Sequence, residues 1–531
     1  MTGYSAHVDT FARDNLPPRE LWPELIFEIP EVQYSERLNC AVELLDRMVA
    51  AGHGERPVIR SPVGTLTYRE LMARVDRIAR VLTEDLALVP GNRVLLRAPN
   101  NPMMAACWFA VIKAGCIAVA TMPLLRAREL TVIMERAQVN AALCDAALRE
   151  EMELARGACP TLYFNAGTAD SLEQLAATKA PQFDAVPTAA DDVCIIAFTS
   201  GTTGVPKGAM HFHRDVMAIC DCFPRSCLRV TADDIFCGSP PLAFTFGLGG
   251  LLLFPMRFGA STVLLEKLTP TTLLSAIEEY RATVCFTAPT FYRQMAGVAF
   301  DYDISSLTRA VSAGETLPVA TRELWEKETG VLLIDGIGAT EMLHIFISAA
   351  GEDIRSGATG KPIPGYRACI FDDEGKPVPA GTVGRLAVKG PTGCRYLADE
   401  RQRAYVHDGW NLTGDAYLMD AEGYFWYQAR TDDMIISAGY NIAGPEVESA
   451  LLLHPTVAEC AVIGMADEER GQIVKAFVVV KKDVVADAAL AAELQNFVKQ
   501  TIAPYKYPRA LEFRASLPRT ETGKLQRFKL R

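Results

Sequence analysis

The sequence predicts an α/β protein: a large N-terminal domain, residues 1–431, of helix-covered, mostly parallel sheets, followed by a small α+β C-terminal domain, residues 432–531. Three observations carry this expectation. Short apolar runs of strand length alternate with segments of helical period, the rhythm of β-α-β units. Several of those runs break at once into glycine, hydroxyl and acidic residues, as strands do on leaving the carboxyl edge of a parallel sheet. After Asp433 the segments shorten into a compact unit of about a hundred residues, an ordinary domain size.

Taken in order, Thr67-x-x-Glu70 is a capping box that opens a helix with Leu71, Val75, Ile78 and Leu82 as its apolar positions. A short buried strand follows at Arg93–Leu96. Met103 to Leu125 is largely apolar and nearly long enough to span a bilayer. Lys113 sits near its middle, however, and Gly115 and Pro123 break it, so it reads as a buried helix (Met103–Lys113) and a buried strand (Cys116–Thr121). Strands continue at Ala141–Cys144, Val193–Phe198, Thr262–Leu265 and Val284–Thr287, with a helix at Thr271–Tyr280. Asp420 to Tyr427 is hairpin-like. The terminal unit reads as a strand (Met434–Ser437), a loop (Gly439–Pro445), a helix (Glu446–Leu453), strands Val457–Gly464 and Ile473–Lys481, and a helix (Ala486–Ile502).

At 531 residues, 50% hydrophobic and 22% charged, the chain can bury a sizeable core and is not disordered. A net charge of −11 without a basic block argues against a non-specific nucleic-acid binder. The fourteen cysteines contain no C-x-x-C, and the closest group, Cys220, Cys222 and Cys227, has no histidines at ligand spacing. They read as buried free thiols of a reducing cytoplasm. The N-terminus carries Asp9, Arg13, Asp14, Arg19 and Glu20 and lacks the apolar core of a signal peptide, so the expectation is a cytoplasmic protein with no membrane segment. The oligomeric state stays open, a homodimer included.

The chemistry concentrates at the strand exits. Phe198-Thr199-Ser200-Gly201-Thr202-Thr203-Gly204-Val205-Pro206-Lys207-Gly208 follows the strand Val193–Phe198. Its glycines let backbone N–H groups approach an anion, its hydroxyls add donors, and Lys207 adds a mobile positive charge. That composition suits a polyphosphate. It is not a Walker A loop, because Pro206 precedes the lysine and Gly208 follows it. Further on, Val311-Ser312-Ala313-Gly314-Glu315-Thr316-Leu317-Pro318 and Ile334-Asp335-Gly336-Ile337-Gly338-Ala339-Thr340-Glu341-Met342-Leu343-His344 are two more exits. Glu341 beside a polyphosphate would repel it unless a cation lay between, so it reads as a Mg²⁺ ligand, with Thr340 donating to a phosphate. His344 reads equally as a satisfied core histidine or as part of a pocket. Pro240 to Gly250 is aromatic and glycine-rich, either a helix start packed in the core or a wall of a flat apolar pocket. Leu412-Thr413-Gly414-Asp415 presents a carboxylate in a tight turn, suited to two ribose hydroxyls, although such turns are common on surfaces. The chain ends in Thr520-Glu521-Thr522-Gly523-Lys524, a basic turn that is either a frayed end or a lysine able to swing into a site elsewhere.

Together and in this order, from about Leu66 to Arg527, these blocks resemble the adenylate-forming enzymes: acyl- and aryl-CoA ligases, peptide-synthetase adenylation domains and luciferases. The resemblance implies that ATP and an acid bind to the large domain, while the small domain is mobile and rotates between two half-reactions. It assigns Thr199, Ser200, Gly201, Thr202, Thr203, Gly204 and Lys207 to the phosphates, and Gly314, Glu315, Asp335, Gly336 and Ile337 to the nucleotide's adenine end. Asp415 and Arg430 would bind the ribose, and Thr340 and Glu341 would serve phosphate and Mg²⁺. Asp432 would be the hinge, Lys524 the adenylation lysine, and Gly439 part of the coenzyme A tunnel. Phe244, Thr245, Phe246, Gly247, Gly338 and His344 would line the acid pocket.

The departures from the broad family are informative. Ile337 stands where an aromatic usually stacks near adenine, Ala429 replaces the glycine before the hinge arginine, and the usual proline after the hinge is displaced to Pro445. Asp335-Gly336-Ile337-Gly338 with Met342-Leu343-His344-Ile345-Phe346 is similar to the benzoate-CoA ligase branch, and the N-terminal stretch and length are most similar to 2-aminobenzoate-CoA ligases. Where benzoate enzymes carry Phe-Ala-Tyr-Gly-Leu-Gly, this chain has Phe244-Thr245-Phe246-Gly247-Leu248-Gly249. The expectation is an AMP-forming aryl-CoA ligase for 2-aminobenzoate or benzoate, using ATP, Mg²⁺ and coenzyme A. Transfer to a carrier-protein phosphopantetheine, a medium-chain fatty acid substrate, and a non-catalytic ATP-binding regulator are the competing readings.

Overall fold

Thr67 Oγ1 accepts from the Glu70 backbone N–H at 3.2 Å, and the Glu70 carboxylate accepts from the Thr67 N–H at 2.8 Å. This reciprocal cap starts the helix Tyr68–Arg80, whose buried face carries Leu71, Val75 and Ile78. In the computed structural model residues 3–199, 206–430, 433–437, 440–467, 470–519 and 525–531 are described. Ser200, Gly201, Thr202, Thr203, Gly204, Asp432, Gly439 and Lys524 lie outside the described residues.

Four sheets organise the chain. The first runs, in spatial order, Thr161–Phe164, Ala141–Asp145, Arg93–Arg97, Ile117–Thr121, Val193–Thr199 and Lys207–Phe212. Its first five strands are parallel, and the last pair is antiparallel with Thr199 opposite Lys207. The second has nine strands, with Leu333–Gly338, Arg309–Ser312, Val284–Thr287, Ile235–Gly238, Ser261–Val263 and Pro57–Ser61 as parallel neighbours. Short antiparallel strands finish both of its edges. Parallel strands with both faces covered explain the continuous apolar runs in the sequence. The twelve residues of the helix Pro102–Lys113 are all buried.

A third sheet, antiparallel throughout, is built from Arg367–Phe371, Val383–Lys389, Val406–His407, Trp410–Met419 and Phe425–Arg430. It corrects the reading of Leu412–Asp415 as a tight turn. The register steps from Arg385 opposite Ala416 to Ala387 opposite Leu412, so Thr413, Gly414 and Asp415 form a bulge inside one long strand. Gly414 makes that possible at φ +77°, and a Cβ there would stand 2.9 Å from the Arg430 guanidinium. The fourth sheet pairs Tyr440–Ile442, Ile435–Ser437, Gly471–Val480, Val457–Asp467 and Ala510–Phe513, covered by the helices Gly444–Leu452 and Ala488–Thr501. Within the segment read as the loop Gly439–Pro445, Tyr440–Ile442 is therefore a strand, and Gly444 already belongs to the helix.

The fourteen cysteines are free. Cys40, Cys194 and His213 bring their sulfur and nitrogen atoms within 4.8 Å of one another, but His213 Nδ1 accepts the Cys40 backbone N–H at 3.2 Å, the role of a core histidine. Among the described residues no helix is long and apolar enough to cross a membrane.

Lys113, the charge that interrupts the apolar stretch, is 1% exposed and sits 2.5 Å from both Asp46 and Asp76. Burial pushes the Asp76 carboxyl up, and Lys113 offsets only part of that rise. Lys113→Met strands two carboxylates and is expected to cost about 3–5 kcal/mol in chemical denaturation. Adding Asp76→Leu should recover much of the loss. A single-variant cost below about 1 kcal/mol would show that the carboxylates regain water and that the pair holds little of the helix in place.

Candidate active site

Lys207 opens the edge strand of the first sheet, and its partly exposed side chain turns its ammonium onto neighbouring groups. It donates to the Tyr396 hydroxyl at 2.7 Å and lies 3.4 Å from a Glu341 carboxylate oxygen. It also sits over the rings of Tyr396 and Tyr405, at 4.7 and 5.9 Å. The Tyr396 hydroxyl in turn donates to Glu341. Tyr396 comes from a segment laid along the same strand: Ala209 bridges Tyr396, Met210 N–H donates to the Arg395 carbonyl, and Leu397 N–H donates to that of Gly208. Thr199 and Lys207 thus face each other across the foot of the glycine-hydroxyl loop.

Two residues farther along the same face as Ala209, His211 donates through Nε2 to the Thr340 carbonyl at 2.8 Å. This fixes the one-turn 3₁₀ helix Thr340–Met342 beside the strand. Leu343 then takes φ +69°, a conformation that a leucine adopts only at a cost, and the chain reverses between Glu341 and His344. Gly338 has its own reason here, since a Cβ would stand 2.8 Å from the His344 backbone.

Among the residues expected at the adenine, Gly314 takes φ +88° and Asp335 sits in parallel register with Ser312. The Asp335 carboxyl is held up to about 7 by burial, against partial relief from Arg322 and the Gly336 N–H. Glu315 accepts from Thr290 Oγ1 at 2.8 Å and from Arg519 at 3.4 Å, and Arg519 reaches Glu459 at 3.0 Å. Asp415 and Arg430, expected at the ribose, are cross-strand partners with their side chains 3.1 Å apart. The buried Tyr405 hydroxyl has no hydrogen-bond partner among the described residues, and the charges of Glu341, Asp415 and Arg430 all act on it. It therefore lies between Glu341 and the Asp415–Arg430 pair.

Around the residues expected to line the acid pocket, aromatic rings form a cage about an imidazole. Phe223, Phe246, Phe254 and Phe286 have ring centroids 5.9, 5.6, 4.5 and 6.3 Å from that of His344. Gly249 admits the ring, since a Cβ there would stand 2.4 Å from its Cδ2. Gly247 serves the chain path instead, because a Cβ there would lie 2.1 Å from the Pro241 carbonyl oxygen. Phe244 caps the short helix Thr245–Leu248 that begins here. Burial holds the His344 imidazole down to about 3, so it is neutral. Its Nε2 makes a long bond, 3.4 Å, to the Phe246 carbonyl, which can only accept, leaving Nδ1 as an acceptor with no partner among the described residues.

Sequence reasoning missed Tyr396, Tyr405, His211 and Arg519. No spacing marks them, because each meets its partners across 55 or more positions, or, for Tyr405, through charges on three separate elements. Of the residues it did name, Lys207 meets Glu341, Asp415 meets Arg430, and Phe246 meets His344. Glu315 is instead brought to Arg519, which no sequence signal singled out.

The sequence pattern of the AMP-binding enzyme family matches residues 47–396, and that of its C-terminal domain matches residues 446–524. The chain is 37% identical over 512 residues to a benzoate–CoA ligase of Thauera aromatica, covering 94% of this chain and 97% of that one. Among solved structures it is similar to an anthranilate CoA ligase in complex with anthranoyl-AMP, with a TM-score of 0.90, 33% identity and coverage of 94% and 98%. It is also similar to a benzoate CoA ligase from Burkholderia xenovorans LB400, with a TM-score of 0.85, 31% identity and coverage of 93% and 99%. The chain belongs to the AMP-binding enzyme family, in its benzoate–CoA ligase branch, and is an acid–thiol ligase with a large sheet-based N-terminal domain and a smaller C-terminal one.

The raised Asp335 carboxyl makes stability depend on pH. Its folded value of about 7 lies above the unfolded one near 3.9, so the folded chain retains a proton that the unfolded chain gives up between those limits. Its contribution is therefore lost as pH rises from about 4 to about 7. Asp335→Asn keeps the shape and removes the titration. The variant should gain stability relative to the parent as pH rises from about 4 to about 7 and then hold a constant difference in denaturant titrations, whereas a difference flat with pH throughout would place the carboxylate in water.

Proposed function

We propose that this aryl-CoA ligase activates 2-aminobenzoate, with benzoate as a second substrate, forming an aryl-adenylate from ATP and then the aryl-CoA thioester, with release of pyrophosphate and AMP. The observation that carries the reading is the aromatic cage around His344. Four phenylalanines surround the imidazole, Phe246 alone among them keeping partial exposure toward an aryl ring, and the neutral imidazole keeps Nδ1 as a buried acceptor. A ring amino group supplies the N–H that such an acceptor lacks. The likeness to a ligase structure holding anthranoyl-AMP supports the same choice.

A carboxylate is a poor acyl donor because its leaving group would be oxide. In the first half-reaction its oxygen attacks the α-phosphorus of ATP and pyrophosphate departs. Lys207, the Thr199–Gly204 donors and Thr340 bind the triphosphate, and Gly314, Glu315, Asp335, Gly336 and Ile337 flank the adenine. Asp415 and Arg430 hold the ribose. Glu341 fits Mg²⁺ by donor chemistry, being a hard carboxylate whose charge is here balanced by an ammonium, and would hold the ion. The ion supplies charge neutralisation on the phosphates. Lys524 approaches the α-phosphate from the C-terminal domain, residues 432–531. That domain then pivots at Asp432, so that Lys524 withdraws and a tunnel along Gly439 admits coenzyme A. The thiol attacks the acyl carbonyl, its proton is lost, and AMP leaves.

Initial rates of AMP formation with ATP, Mg²⁺ and coenzyme A across 2-aminobenzoate, benzoate, hydroxybenzoates, phenylacetate and octanoate test the substrate. 2-Aminobenzoate should give the highest kcat/KM, and His344→Leu should lower it about tenfold while changing benzoate less. Turnover confined to octanoate would remove the aryl reading. Lys524→Ala should abolish aryl-adenylate formation yet largely spare thioester formation from supplied aryl-adenylate. Equal loss in both steps would show that the lysine does not divide them.

A further inference from the structure

Glu341 poses an electrostatic problem that the sequence does not show how to solve. Its carboxylate is 7% exposed and stands where the triphosphate is proposed to bind. An unpaired carboxylate so placed would be costly in the empty site and repulsive toward ATP. In this structure two groups answer it: the Lys207 ammonium at 3.4 Å and the Tyr396 hydroxyl, which is closer still.

The hydroxyl has one proton, and the geometry says where it goes. A lysine ammonium has only donors, so the Tyr396 oxygen accepts from Lys207 at 2.7 Å, and its proton is directed to Glu341. The ring is itself immobile: Tyr396 has no solvent exposure, its backbone N–H donates to Gln402 Oε1 at 2.9 Å, and Ala209 bridges it on the sheet edge. Lys207, by contrast, has a long side chain with 20% exposure and a choice of anions.

We propose that Tyr396 is a positioning residue that works in both states of the site. In the nucleotide-free enzyme its hydroxyl seats the Lys207 ammonium against Glu341. Both groups sit on Oε1 of Glu341, so when the ammonium transfers to the triphosphate the hydroxyl keeps that oxygen engaged and leaves Oε2 for the divalent cation. The inference rests on the proposed assignment of Lys207 to phosphate and Glu341 to the metal, and it adds the group that manages the exchange between them.

Tyr396→Phe removes the hydroxyl and keeps the ring beneath the ammonium. Mn²⁺ affinity is measured by electron paramagnetic resonance on enzyme saturated with a non-hydrolysable ATP analogue, and metal-free affinity for the analogue by calorimetry. The variant should bind Mn²⁺ about tenfold or more weakly, because a hydrogen bond to a charged group is lost. It should bind the metal-free analogue equally well or up to a few-fold more tightly, because Lys207 is no longer held back. A packing defect would weaken both. Tyr396→Gln, which offers an N–H to Glu341 and an oxygen to Lys207, should recover part of the Mn²⁺ affinity, whereas a purely steric role predicts a larger loss than for phenylalanine. Pyrophosphate release should fall with Mn²⁺ affinity, while thioester formation from supplied aryl-adenylate stays unchanged. Mn²⁺ affinity within twofold of the parent, or parallel weakening of both ligands, overturns the role of Tyr396. A parent enzyme with no nucleotide-dependent Mn²⁺ site overturns the assignment of Glu341, and this inference with it.

Discussion

The ion pair between Arg395 and Asp215, both without solvent exposure, underlies the geometry of the site. Asp215 starts the helix that follows the strand Lys207–Phe212, capping it by accepting the Phe212 N–H at 2.9 Å. Arg395 belongs to the segment laid along that strand's free edge. Burial opposes ionisation of both groups, and each is the other's compensation: Arg395 brings the Asp215 carboxyl below its usual range, while the guanidinium, despite Asp215, stays below its own. Separating them would strand a charge in the core, so the strand, the helix and the 394–397 segment hold one arrangement. Tyr396 follows Arg395 directly, and His211, on the same strand, reaches Thr340. The position of the proposed catalytic groups is thus set by a contact that touches no substrate.

Polarity is used differently at the two ends of the site. Around Lys207 the charges cancel at short range, through one ammonium, one carboxylate and one hydroxyl between them. Around His344 the charge is absent altogether, because burial among four phenyl rings makes the imidazolium too costly. A neutral imidazole discriminates by hydrogen-bond direction and is indifferent to pH across the physiological range. In the proposed function, charge chemistry therefore stays with the phosphates, and the aryl ring meets a surface that recognises shape and one N–H.

Local signals were legible, and long-range ones were not. The Thr67–Glu70 cap, the helix ending in Lys113 and the strand exits were all readable, because each rests on residues within one turn or one strand of each other. Lys113 was readable as a sign of burial in a protein, but its partners Asp46 and Asp76 were not, since they lie 67 and 37 positions away. Of the antiparallel sheet of residues 367–430 only the hairpin at Asp420–Tyr427 was legible, and the rest was missed for a related reason. A bulge at Thr413–Asp415 breaks the alternation that marks a strand, and a Thr-Gly-Asp sequence then resembles a turn. The acid pocket was half legible: Gly247 and Gly249 stood out, but whether a glycine spares a carbonyl or an imidazole depends on what approaches it from elsewhere in the chain.

Arg519 extends the same logic to the end of the chain. Its guanidinium joins Glu315, on the loop that follows the strand Arg309–Ser312, to Glu459, on the strand Val457–Asp467. One cation shared by two carboxylates, all three partly exposed, is a contact of a different kind from Arg395–Asp215. Water screens it, and either carboxylate regains its hydration when the guanidinium leaves, so it opens at modest cost. The rigid part of the site is thus tied by charges that cannot separate, and the segment nearest the C-terminus by charges that can. A ligase that must first exclude water from an adenylate and then admit a thiol needs one tie of each sort.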